Sequence, residues 1–166
     1  RVFLLFLLIM ILLMTLNIYG TNYDSIFKAF RYASFQLISI ITTTGYATAD
    51  YESFPGLTKI ILFCCMFIGA CAGSTGGGIK FSRIIITLKF CYREFFTIIH
   101  PRSVKKIKMN NLVVPNEVLR QVMAFIALYL GIFVLGCVIL GLMGLDMLTC
   151  FGAVGSSLGN VGPGFG

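Results

Sequence analysis

The chain holds 166 residues, 58% of them hydrophobic and only 11% charged, with a mean hydropathy of +0.95. A soluble domain of this length has too little interior to hide so much apolar surface, so the composition excludes an ordinary soluble enzyme or binding module and points to an all-α integral membrane protein. Thirteen Lys and Arg against six Asp and Glu give a net charge of +7, and the placement of those cations says more than their number.

The first predicted element is a span over residues 2–19, "VFLLFLLIMILLMTLNIY", close to the roughly 20 apolar residues a hydrocarbon core of about 30 Å requires. It lacks the A-x-A-like site of a secretory leader, and further apolar segments of membrane length follow it, so it reads as a true span. Residues 25–41 form a predicted short helix, too short and too polar to span. It ends in "TTTGY", and the predicted loop covers 42–46. Asp24 stands where a capping residue belongs.

A second apolar run covers 57–99. As one helix its 43 residues would measure about 65 Å at 1.5 Å per residue, twice what a bilayer needs. Within it lies "GACAGSTGGGIK", Gly69 to Lys80, so the helix must break there, about 12 residues or about 18 Å in. Non-helical backbone at that depth is tolerated only where protein buries it or where it lines a watery cavity. The break is therefore a pointer to function.

Nine of the thirteen Lys and Arg fall between Lys80 and Arg120, including "PRSVKKIK". Such a cluster beside spans marks the cytoplasmic side, which predicts a cytoplasmic basic loop over 100–117 and does not call for nucleic acid as a partner. Asp24, Asp50 and Glu52 then face outward. A span over 118–145, a short helix over 147–156 opened by Asp146, and a loop over 157–162 complete the chain. Opening on Arg1 and stopping at "GNVGPGFG", it reads as a piece of a longer protein.

The order span, short helix, glycine loop thus occurs twice, and setting Gly45 against Gly159 aligns "TTTGY" with "SSLGN". A helix that stops partway across a membrane aims the partly negative end of its dipole at the bilayer centre, which favours a cation. Glycine then permits backbone shapes in which carbonyls turn inward and replace the water shell of an alkali ion. Thr42, Thr43, Thr44, Ser156 and Ser157 add hydroxyls. Glycine and threonine also serve at helix–helix contacts, but two such stretches in matching positions favour an ion-binding loop.

Other chemistries find little support. "GSTGGGIK" has Gly73 and Gly78 at P-loop spacing, but Ile79 separates glycine from Lys80 and no strand precedes it. The six cysteines show no metal-ligand spacing, so no transition-metal site is expected. The sole histidine, His100, sits beside Pro101 at a helix end, and no catalytic constellation is visible. A secondary transporter with broken helices and a midplane site, or a non-conducting membrane subunit, stands as the alternative.

"FQLISIITTTGYATADY", "GACAGSTGGGIK" and "LGNVGPGFG" together resemble the third pore loop, the intramembrane loop and the fourth pore loop of the TrkH/KtrB/HKT superfamily of potassium transporters. The resemblance implies four repeats of membrane helix, pore helix and membrane helix around one pore, with re-entrant filter loops. This chain would carry the third repeat (1–99) and part of the fourth (118–166). It implies potassium uptake, no enzyme activity and no cofactor beyond the transported K+. It places the filter at Thr43, Thr44, Gly45 and Tyr46, and at Ser157, Leu158, Gly159 and Asn160. It makes Gly73, Ser74, Thr75, Gly76, Gly77 and Gly78 an obstructing intramembrane gate loop. Lys80, which follows that loop, is a gating charge or a snorkelling residue. The implied partners are membrane lipid, a second copy in a homodimer and a cytoplasmic nucleotide-binding regulatory subunit facing Arg102 to Lys108. The implied location is the plasma membrane, with the filter loops outside.

Overall fold

The computed structural model describes residues 1–71, 73–100, 106–109 and 112–165. Six helices carry the fold: α1 Val2–Ile18, α2 Ile26–Ile41, α3 Gly56–Phe67, α4 Phe81–Ile99, α5 Asn116–Leu142 and α6 Met147–Gly159. Two short pairings complete it. The strands β1 Ile68–Gly69 and β2 Ile79–Lys80 pair in parallel, while β3 Lys108–Met109 and β4 Leu112–Val113 pair antiparallel. The basic stretch expected over 100–117 is described only at His100, at Lys106 to Met109 and from Leu112 on; Arg102 and Lys105 lie outside the described residues.

Local chemistry sets the helix ends. α5 starts behind Pro115 and runs to Leu142, three residues short of the expected 145, because Gly144 adopts φ +87° and turns the chain. Glycine is the residue for which that left-handed conformation is cheap. Asp146 caps α6 as expected, with its carboxylate accepting from the Thr149 amide at 3.3 Å. Asp24 does not do the same for α2: the N-cap there is Ser25, without a side-chain cap bond. The expected short helix over 147–156 also needs correcting. α6 continues through Gly159, so the residues "SLG" belong to its last turn and not to a loop.

α3 is the hub. It packs against α1 and α2 on one side and α6 on the other, and α4 and α6 each pack on α5. Met14, Ile18, Leu37, Ile40, Ile41, Leu62 and Met66 form the buried centre of the α1–α2–α3 layer, and Thr58 on α3 donates to Asn17 Oδ1 of α1 at 2.8 Å. On the far side Phe67 meets Phe133 of α5 edge-on at 5.0 Å, and Phe63 stacks on Phe151 of α6 at 6.4 Å.

The outer faces are apolar as well. α5 has 27 residues, about 40 Å of rise, and is the one described helix long and apolar enough to cross a membrane by length and composition. Leu128, Val134, Leu135, Val138 and Leu142 on it are all more than half exposed, as are Leu4, Leu5, Leu8 and Leu16 on α1. A helix apolar all round with its surface uncovered is built for lipid or for other helices. In such surroundings packing and polar contacts, more than transfer out of water, hold the helices to one another.

Candidate functional site

Two hairpins end in glycine loops that share one backbone plan. After α2, Thr42 is the C-cap, Thr43 takes φ +58°, and Gly45 takes φ +76°. The Thr43 amide donates to Ile40 O at 3.1 Å and the Thr44 amide to Ser39 O at 2.9 Å. After α6, Asn160 takes φ +53° and Gly162 φ +103°. The Asn160 amide donates to Ser157 O at 3.2 Å and the Val161 amide to Ser156 O at 3.0 Å. Thr43 therefore matches Asn160, Thr44 matches Val161, and Gly45 matches Gly162.

This match corrects the pairing of Gly45 with Gly159. Hydroxyls followed by glycine align Gly45 with Gly159 in the sequence, whereas the chain stays helical for three residues beyond 156. Gly159 has a different job. A Cβ there would fall against the carbonyl of Met66 and lie 3.0 Å from a Val161 methyl, so Gly159 is bare because α3 passes close to it. One signal for the true match was present in the sequence. Asn is the commonest non-glycine residue in the left-handed conformation, and Asn160 stands two residues before Gly162 as Thr43 stands two before Gly45.

Left-handed backbone at every second residue has a chemical consequence. In an extended strand successive carbonyls point to opposite sides, so inverting every second residue brings them toward one side. Both loops show that alternation, at Thr43 and Gly45 and at Asn160 and Gly162. They also face each other. A Cβ on Gly45 would fall on the Val161 carbonyl oxygen and stand 3.3 Å from Pro163 Cδ, and one on Gly162 would come within 3.9 Å of Gly45 Cα.

Side chains secure each loop. Ser39 Oγ donates to Tyr46 O at 2.6 Å, so that carbonyl is tied back to α2 and Tyr46 holds the loop. Thr42 Oγ1 donates to Ile38 O at 2.6 Å and lies 2.7 Å from Thr44 Oγ1. In the second hairpin Ser157 Oγ donates back to Ala153 O at 2.7 Å, a bond internal to α6, and Leu158 is a half-buried residue of its last turn. Beyond Gly162, Tyr51 Oη donates to Gly164 O at 2.5 Å and its ring meets Phe165 edge-on at 5.2 Å. Burial pushes the Tyr51 phenol pKa upward, with the carboxylates of Glu52 and Asp50 adding to the rise.

The third component closes in on both loops. The β1–β2 pairing, Ile68 with Ile79 and Gly69 with Lys80, returns the chain to its starting level, so residues 73–78 belong to a loop projecting from the end of α3. Its glycines are where backbone meets backbone. A Cβ on Gly77 would fall on the Gly159 carbonyl and 3.0 Å from Asn160 Cβ, and one on Gly76 would lie 3.1 Å from Thr43 Oγ1. Gly78 adopts φ +69° against the end of α3. Gly73 and the exposed Thr75 line the open side. Lys80 neither points away nor stands alone: its Nζ donates to Ser74 O at 2.8 Å, to Ser74 Oγ at 3.0 Å and to Gly76 O.

Among the described residues no group of three His, Cys, Asp or Glu side chains is placed to hold a metal ion.

A helical chain with two half-length helices ending in facing glycine loops, closed by a third glycine segment, belongs among the membrane transport proteins. The comparisons are specific. The family described as "TrkH: Cation transport protein" matches residues 1–166. The Trk system potassium uptake protein TrkH of Halomonas elongata is 36% identical over 166 residues, all of this chain and 34% of its own length. The protein of that name from Vibrio parahaemolyticus is 39% identical over 163 residues, 98% of this chain and 33% of its own. The crystal structure of the potassium transporter TrkH from Vibrio parahaemolyticus superposes with a TM-score of 0.91 at 36% identity, covering 99% of this chain and 35% of that one. The chain belongs to the TrkH cation transport protein family, and it spans about a third of the length of the relatives it matches.

Proposed function

We propose that this chain supplies half of the lining of a potassium-selective pore used for potassium uptake. The observation that carries the reading is the alternating left-handed backbone of two facing loops, at Thr43 and Gly45 and at Asn160 and Gly162. Carbonyls of Thr43, Thr44 and Gly45, and of Asn160, Val161 and Gly162, then form two quarters of a ring that dehydrates the ion. Gly159, Ser157 and Leu158 support that ring from the last turn of α6 instead of joining it. The C-terminal ends of α2 and α6 add their dipoles. Asp50 and Glu52, beside the first loop in sequence, raise the local cation concentration at the mouth.

In this reading the loop from Gly73 to Gly78 is the gate, since Gly76 and Gly77 abut the inner ends of both filter loops. α1, the α3–loop–α4 segment and α5 cross the plasma membrane with the filter outside and the basic loop in the cytoplasm. The repeats needed to close the ring, the second copy of a homodimer and the cytoplasmic nucleotide-binding subunit belong to this reading through the family resemblance, and lipid covers the exposed faces of α1 and α5.

The test is rubidium uptake by the full-length protein in a bacterial strain without its own potassium uptake systems, competed with potassium or sodium. Uptake suppressed by potassium and not by sodium, with that preference lost in Gly45→Ser and in Gly162→Ser, is the expected result. Unchanged preference in both variants at normal membrane levels would sink the filter assignment.

A further inference from the structure

We propose that Lys80 is a tethered cation: its ammonium fills a cradle of three loop oxygens that takes a dehydrated monovalent ion when the side chain leaves, so permeant ion and lysine compete for one site. The inference rests on the potassium-pathway reading and adds to it a cation site at the inner face of the filter.

The stoichiometry of the contacts is the first argument. An ammonium has three N–H donors and no acceptor, and Lys80 Nζ meets three oxygens: Ser74 O at 2.8 Å, Ser74 Oγ at 3.0 Å and Gly76 O. Carbonyl and hydroxyl oxygens gathered around a compact cation are also what replaces the hydration shell of a potassium-sized ion.

The charge balance is the second. The one side-chain ion pair among the described residues is Arg93–Glu94, at 2.8 Å and well along α4, so neutral oxygens alone partner the Lys80 ammonium. A cation at membrane depth held by dipoles is costly to keep and marks a working site. Other cations of this region have partners elsewhere: Arg83 lies over the Phe125 ring at 4.0 Å, and Lys89 Nζ donates to Lys108 O at 2.7 Å.

The third is position. Lys80 sits in β2, paired with Gly69, and α4 begins at the next residue, so its backbone is fixed and only the side chain can move. The loop it grips touches both filter loops, through Gly76 at Thr43 and through Gly77 at Gly159 and Asn160. While the ammonium bridges Ser74 and Gly76 the loop stays folded against the filter. A cation arriving at the same oxygens displaces the lysine, and the loop loses the bond that spans it.

The experiment measures tracer rubidium flux through the full-length protein in liposomes as a function of rubidium concentration, for wild type, Lys80→Met and Ser74→Ala. Lys80→Met is expected to raise flux at low rubidium on the order of tenfold, since removing charge-assisted bonds of this strength frees the loop. It should also move half-saturation to lower rubidium, because no tethered competitor remains. Thallium soaked into crystals of Lys80→Met should give an anomalous peak between Ser74 and Gly76 that wild-type crystals lack. Ser74→Ala, which keeps the lysine and deletes one cradle oxygen, should raise flux by a smaller factor. Its flux decides the matter if Lys80→Met does not reach the membrane. A conducting wild type whose flux and half-saturation are unchanged in Lys80→Met, or in Ser74→Ala where that variant must stand in, overturns this inference alone. So does a Lys80→Met crystal without the thallium peak. A wild type that carries no rubidium overturns the pathway reading and this inference with it.

Discussion

The two glycine loops have the same backbone and are held in opposite ways. The first is held by polar groups of its own hairpin: Ser39 on Tyr46 O, Thr42 on Ile38 O, and Thr44 against Thr42. The second is held by distant packing. Val161 and Phe165 belong to the buried cluster centred on α1, α2 and α3, and Tyr51, from the segment after the first loop, holds Gly164. Loop geometry is thus set by where the helix ends and where the left-handed residues fall, while the side chains that secure it are free to differ. The arrangement also makes the second loop depend on the segment that follows the first, through Tyr51.

The largest effects should come from the residues the two loops share. Gly45→Ala and Gly162→Ala each force a side chain into a left-handed position, and at Gly45 the new methyl also meets the Val161 carbonyl. Either change is expected to cut the preference for potassium over sodium at least about tenfold, roughly 1.4 kcal/mol of discrimination, read by competed rubidium uptake. Gly159→Ala separates the two pairings of the loops. Its Cβ meets the Met66 carbonyl inside a helix contact, so it should lower the melting temperature and the membrane level of the protein, while the fraction that folds keeps its selectivity. If Gly159→Ala lost selectivity at full stability while Gly162→Ala did not, the match of Gly45 with Gly162 would be wrong.

Next in size is the contact between the loops and the segment that closes them. Gly77→Ala places a methyl on the Gly159 carbonyl, so the segment must withdraw or the protein must destabilise. Shortening Gly73 to Gly78 removes the proposed obstruction outright. Tracer flux is expected to rise severalfold in the shortened variant, and a folded protein with abolished flux would show that this loop does more than obstruct.

Loss of a single securing bond should be milder and should respect the difference between the hairpins. Ser39→Ala removes the hydroxyl on Tyr46 O, and Tyr51→Phe removes the hydroxyl on Gly164 O. Each is expected to cost about 0.5–1.5 kcal/mol, measured as a drop in melting temperature. Tyr51→Phe should loosen the second loop alone, and Ser39→Ala the first alone, as seen by hydrogen exchange at the amides of Val161 and Thr44.

Much of this plan was legible in the sequence for physical reasons. A 43-residue apolar run is too long for one crossing, and glycines mark where it must fold, which is where β1, the loop and β2 lie. Short helices following full apolar segments and ending in glycine announced the two hairpins, and three motifs in order announced the family. The sequence misled where the outcome depended on a few tenths of helix propensity against tertiary contact. "SSLG" reads as easily as a loop as it does as a last turn, and α6 stays helical because Met66 of α3 packs against the bare Gly159. The grip of Lys80 was hidden for another reason. Its acceptors are mainly backbone carbonyls, which every residue owns, so residue types give no hint of them.

The caps of α2 and α6 offer the smallest and cleanest contrast. Asp146 accepts from the Thr149 hydroxyl and amide at the start of α6, and the Thr149 hydroxyl bond, then its amide, hold the Asp146 pKa below the usual carboxylate range. A carboxylate with a lowered folded pKa stabilises the protein above its unfolded pKa, near 3.9 for a free aspartate, and that contribution is lost as the pH falls through the folded value. The start of α2 has no such bond, because its N-cap Ser25 makes none. Asp146→Asn should therefore flatten the acid limb of a melting curve recorded against pH below about 4, and it should do so by slowing the acid-side decline rather than by raising neutral stability. An acid limb unchanged in Asp146→Asn would mean that the acid sensitivity arises elsewhere, and the asymmetry between the hairpins would then end at their loops.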